Sequence, residues 1–123
     1  MKQKTETDPE IKIYHNPQCS KSCSTLDTLH EKGINPQIID YLNHPPSKEE
    51  LLEILAMLNY KPLALIRTNE PLFQQKYEGH TYTDEQWIDI MLQHPELIER
   101  PIVVANGKAI IARPLEKLYS LLQ

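Results

Sequence analysis

Apolar and polar positions alternate through Ile11-Lys12-Ile13-Tyr14-His15, the two-residue period of a strand. Asn16-Pro17 breaks the run. From about Ser20 the apolar positions Cys23, Leu26 and Leu29 recur at helical spacing up to Gly33, a residue suited to ending a helix. Residues 36–42 carry β-branched and aromatic side chains at Ile38, Ile39 and Tyr41, and Asn43-His44-Pro45-Pro46 closes that stretch. Strand, helix and strand in this order make a βαβ unit, which predicts a parallel pair joined by a crossover.

The middle of the chain changes period. Ser47 is a good helix cap with Glu50 three residues on, and Leu51, Leu52, Ile54, Leu55 and Leu58 follow as one amphipathic face. Residues 62–66 read as a short helix with Pro62 in its first turn, and residues 71–77 as another. Thr83-Asp84-Glu85-Gln86 is a second cap, leading into Trp87, Ile88, Ile90, Met91 and Leu92, with a stop expected before Pro95. Asn106-Gly107 between Ile102-Val103-Val104-Ala105 and Lys108-Ala109-Ile110-Ile111 predicts a hairpin with a tight two-residue turn. Pro114 then opens a last helix with Leu115, Leu118, Leu121 and Leu122 on its apolar side. A βαβ unit, then helices, then ββα is the order of an α/β, thioredoxin-like fold carrying an all-helical insertion. Residues 11–123 are expected to form that single domain, with the insertion around 47–94 and residues 1–10 as a flexible polar tail.

Composition narrows the function. A chain of 123 residues is sized for one core, which needs no disulfide or metal to hold it. With 13 basic and 17 acidic residues the net charge is −4, which disfavours nucleic acid and membrane surfaces as partners. No stretch approaches the roughly 18 uninterrupted apolar residues of a membrane span. The first ten residues hold no secretory run, so a cytoplasmic location is expected.

Two cysteines, Cys19 and Cys23, sit four apart. Cys19 falls where the first strand hands over to the first helix, so the free N–H groups of the helix start would face its sulfur and favour the thiolate. Ser20, Ser22 and Ser24 offer hydroxyls around it. That setting suits a nucleophile, and it also suits a buried structural cysteine. Cys23, in line with Leu26 and Leu29, is expected to pack in the core. Arginine is sparse: ten lysines stand against Arg67, Arg100 and Arg113. Each arginine can supply the planar fork that grips tetrahedral oxyanions, or each can be an ordinary solvated charge. Arg100-Pro101 and Arg113-Pro114 restrict two of them to extended backbone at element ends. His15, four residues before Cys19, can lend positive charge or a hydrogen bond to the thiol. His30, His44, His80 and His94 show no metal-ligand spacing and read as surface residues, so no metal is expected.

Tyr14-His15-Asn16-Pro17-Gln18-Cys19-Ser20-Lys21-Ser22 resembles the active-site loop of the glutaredoxin-linked arsenate reductases, and Glu99-Arg100-Pro101-Ile102-Val103-Val104 resembles their second signature. The likeness continues through Ala64-Leu65-Ile66-Arg67, Ile90-Met91-Leu92-Gln93-His94-Pro95 and Ala112-Arg113-Pro114, covering residues 11–122. It implies a thioredoxin-like fold and an enzyme in which Cys19 attacks arsenate, Arg67, Arg100 and Arg113 hold the oxyanion, and His15 tunes the thiol. It also implies glutathione as thiol co-substrate and a glutaredoxin as partner, with no bound cofactor. No glycine-rich nucleotide loop is present, in keeping with electrons arriving as thiols.

Cys23 departs from the family pattern, where arginine or another polar residue is usual. It is a candidate resolving thiol, but closing a disulfide four residues along a helix requires the helix start to rearrange, so glutathione is the expected resolver. The alternative reading is a redox-sensing, thioredoxin-like regulator of a transcription complex, with Cys19 and Cys23 as its switch. Such regulators usually carry two residues between their cysteines, against three here. Converging arginines would serve the enzyme and not the regulator.

Overall fold

The computed structural model describes residues 8–112, with side chains from residue 11 onward. In order these form β1 (Asp8–His15), α1 (Ser20–Glu31), β2 (Pro36–Asp40), α2 (Lys48–Leu58), α3 (Pro71–Lys76), α4 (Asp84–Gln93), β3 (Ile102–Ala105) and β4 (Lys108–Ile111). Single 3-10 turns occupy Pro62–Leu65 and Pro95–Leu97. The expected last helix after Pro114, and Arg113 with it, lie outside the described residues.

Contacts divide the chain into two compact units, one holding the sheet and the other running Pro45–Glu99. The sheet unit has the strand order β2-β1-β3-β4. β1 pairs parallel with β2 and antiparallel with β3, and β3 pairs antiparallel with β4. Alternation along β1 sets one core face. Ile13 lies opposite Val103, and both are fully buried with Leu29 of α1 and Ala112, while Ile11, Leu26, Ile34 and Ile110 pack around them. Helix α1 therefore covers the Ile13 face of the sheet. Its stop follows from Gly33, whose φ of 77° lets its N–H reach the His30 carbonyl and lets Ile34 N–H reach Leu29. The hairpin is as patterned, with Asn106 at φ 52° and Gly107 at φ 78° supplying the two left-handed residues of its turn.

In the helical unit, Ser47 Oγ accepts from Glu50 N–H at the start of α2, and Thr83 and Gln86 close a full capping box on α4. Leu51, Ile54 and Leu55 face inward from α2, and Trp87, Ile88, Ile90 and Met91 from α4. Phe73 of α3 stacks on Trp87 with ring centroids 5.9 Å apart, and Tyr82 meets the same indole edge-on at 4.8 Å. The segments at 65–67 and 97–99 bond to each other: Arg67 N–H donates to Leu97 and Glu99 N–H to Leu65.

Several expectations need correction. β1 starts at Asp8, three residues before the alternation begins, because its backbone pairs with Pro36 across a register shift that side-chain pattern does not reveal. β2 ends at Asp40, where Asn43 and His44 N–H groups both turn back onto the Asp40 carbonyl. The short helix expected over 62–66 is present as a 3-10 helix at Pro62–Leu65, with Pro62 at its start. Tyr14, placed on the polar side of β1, is only 5% exposed. His94 is half-buried, paired with Glu96 at 3.4 Å and packed on Tyr77.

Candidate active site

The β1–α1 loop is built by local hydrogen bonds. Asn16 Oδ1 accepts from Gln18 N–H at 2.9 Å, and Cys19 N–H donates to the Asn16 carbonyl at 3.0 Å, so Asn16 closes a tight turn that ends on Cys19. Cys19 is the N-cap of α1, extended at φ −103° and ψ 120°, and its carbonyl accepts the first helical bond from Cys23 N–H. Ser22, fully buried, ties the turn down. Its Oγ accepts from Asn16 N–H at 3.0 Å and lies 2.6 Å from His15 Nδ1.

Cys19 is 8% exposed. Burial pushes its thiol up and is the largest single influence, but it is outweighed by the Ser22 and Lys21 amides, then by the charge and N–H groups of Arg100, so the thiol titrates below its ordinary value. No closed cap hydrogen bond joins Cys19 Sγ to the helix, so these amides act on the sulfur as dipoles. Arg100 brings a further feature. Its Nε is buried and has no hydrogen-bond partner, so the guanidinium keeps an unused donor.

His15 is lowered below its usual value by burial, against the raising pull of Asp40 and Asp27. Burial thus favours the neutral ring, so the contact through which His15 can act on the thiol loop is its hydrogen bond with Ser22. Ser22 Oγ accepts from Asn16 N–H and shares a hydrogen bond with His15 Nδ1, so the histidine acts on the loop through Ser22. Of the three serines flagged by sequence, Ser20 and Ser24 are exposed. The contributions of Asn16 and Ser22 were missed in detail; the Asn-Pro turn signal pointed to the first, and nothing in the spacing singled out the second.

Cys23 is not in the core. The buried face of α1 runs through Ser22, Thr25 and Leu29, because Ser22 must face inward to hold Asn16 and His15, and this rotates Cys23 to the rim. Its S–H donates to the Pro17 carbonyl at 3.4 Å. Arg67, in the helical unit, is held by Glu70 at 3.0 Å and Glu99 at 3.8 Å, and donates to the Glu96 carbonyl at 3.2 Å. Its Nε also lacks a hydrogen-bond partner. The described contacts thus bring Cys19, Arg100, Ser22 and His15 together. No group of three His, Cys, Asp or Glu among the described residues could hold a metal.

Known proteins resemble this chain over most of its length. The chain is 45% identical over 114 residues to an arsenate reductase of Escherichia coli, covering 92% of this chain and 81% of the relative. It is 39% identical over 116 residues to an arsenate reductase of Neisseria meningitidis, covering 93% and 99% respectively. Among solved structures, an arsenate reductase from Vibrio cholerae superposes with a TM-score of 0.86 at 42% identity, over 90% of this chain and 96% of that one. The ArsC family model matches residues 14–120, and the chain, with its thioredoxin-like fold, belongs to the ArsC family.

Proposed function

We propose that the protein is an arsenate reductase, an oxidoreductase that turns arsenate into arsenite through a thiol adduct on Cys19. The observation that carries this reading is a buried, thiolate-favouring Cys19 beside an arginine with an unpartnered Nε. Arsenate is a tetrahedral anion. Arg100 and the amides at the start of α1 would hold its oxygens, with Arg67 and Arg113 as the further oxyanion ligands that the family resemblance assigns. The Cys19 thiolate then displaces one arsenate oxygen as water. His15 sets the loop through its hydrogen bond with Ser22. Glutathione, with a glutaredoxin, provides the two electrons, and the cytoplasm is where such thiols are kept reduced. Arg100 serves this reading better than the regulatory one, since a thiol switch needs no anion ligand. The test is arsenite production by the purified protein with arsenate, glutathione and glutaredoxin, which Cys19→Ser must abolish.

A further inference from the structure

Cys23 is a second thiol in the first turn of α1 for which oxyanion binding has no use. Three observations bear on it. It lies at the rim of the sheet unit, half-buried and away from the core face of its helix. Its sulfur is drawn toward the helix start, bonding to Pro17, two residues before Cys19. Cys19 itself is covered, so an external thiol has poor access to an adduct on it, whereas Cys23 approaches from within the same turn.

We propose that Cys23 is the resolving thiol of the arsenate cycle, an inference that rests on the arsenate reading above. The Cys23 thiolate attacks Cys19 Sγ and forms the Cys19–Cys23 disulfide as the sulfur–arsenic bond breaks. The bonding pair stays on arsenic, which leaves as trivalent arsenite, and the proton given up by Cys23 goes to solvent or the departing oxyanion. Two thiols are oxidised to one disulfide while arsenic falls from pentavalent to trivalent, so the electrons balance. Four residues of helix advance about 6 Å, within the Cα separation of roughly 4.4–6.8 Å that a disulfide spans. The rearrangement needed is confined to the first turn, where Cys19 is already extended and not helical. The external thiol then acts one step later: it attacks the more accessible Cys23 sulfur and frees Cys19 as the leaving thiolate, favoured in that role by its lowered pKa.

The test uses fully reduced protein and arsenate with no glutathione, glutaredoxin or other thiol. Wild type is expected to release one arsenite per chain, lose both free thiols and two hydrogens of mass, and yield a peptide in which Cys19 is joined to Cys23. Cys23→Ser and Cys23→Ala, each shown to fold by circular dichroism, are expected to release at least about tenfold less arsenite under these conditions. With glutathione added, these variants should release arsenite only slowly, because the covered Cys19 adduct must then be attacked from outside, and release at the wild-type rate would count against the proposal. If wild type releases arsenite only after glutathione is added, or if the folded Cys23 variants release as much as wild type, the proposal is overturned while arsenate reduction stands. Should wild type make no arsenite even with glutathione and glutaredoxin present, the arsenate reading and this proposal both fall.

Discussion

Replacing Ser22 by Ala tests whether one buried hydroxyl organises the thiol loop. The substitution removes a single oxygen from a fully buried position, so the cavity left is negligible and the effect comes from hydrogen bonding. Two contacts go: the 3.0 Å bond from Asn16 N–H and the 2.6 Å bond with His15 Nδ1. Stranding a buried amide costs about 1–3 kcal/mol, and a mutual side-chain bond adds about 0.5–1.5 kcal/mol. Both bonds are only partly shielded, so water can enter and the lower halves of these ranges apply, giving about 1.5–3 kcal/mol in all. At about 4 °C per kcal/mol for a chain of this size, Tm should fall by roughly 6–12 °C. The amides that favour the thiolate are set by the same loop, so Cys19 should also move toward the ordinary thiol value near 8.5. Thermal denaturation and the pH dependence of Cys19 alkylation, read in a Cys23→Ser background, measure the two effects. A Ser22→Ala protein that melts within a degree of its parent and alkylates with the same pH profile would refute the reasoning.

Arg100→Lys keeps the charge but loses the planar fork, so kcat/KM for arsenate should fall by the roughly 2–4 kcal/mol of a single oxyanion donor, or about 30- to 1,000-fold. Arg67→Lys and Arg113→Lys are expected to act in the same direction if those residues hold substrate; near-native activity in all three folded variants would exclude the three-arginine site. Cys19 should alkylate with an apparent pKa below about 8.5 and ahead of Cys23 at neutral pH, and the reverse order of labelling would remove it as nucleophile. For His15 the folded-state pKa is depressed by burial, so the unfolded chain binds the proton more tightly. Its contribution to stability is complete above the unfolded value near 6.5 and is lost as pH falls toward the folded value. Tm compared between wild type and His15→Gln across that interval should show wild type losing more on acidification, and parallel curves would contradict the assignment.

Most of the fold was legible because its signals are local. The Ser47 and Thr83 caps, the Asn106-Gly107 turn and the βαβ order each depend on neighbouring residues. Cys19 was legible for the same reason, since a cysteine at a strand-to-helix junction has only the helix start to face. Cys23 was misplaced because helical spacing gives a periodicity but not an absolute rotation. The rotation is set by Ser22, which looks like any other serine in the sequence yet is the residue that must face inward. Asp8 was missed since backbone pairing does not depend on the polarity of the side chains in that strand. The charge state of His15 depends on burial, and spacing cannot show how deeply a strand end is enclosed.

The two partners of β1 have a consequence in time. β2 follows it almost at once, whereas β3 arrives only after the whole of Pro45–Glu99 has been made. A chain growing from its N-terminus can therefore assemble the β1–α1–β2 unit, loop and thiol included, before Arg100 exists. During that interval Cys19 has the amides of α1 but not the guanidinium, and its thiolate is correspondingly less favoured. Cys19 meets that guanidinium only once β3 docks beside β1, so the order of synthesis holds back the full stabilisation of its thiolate until the fold that shelters it is nearly complete.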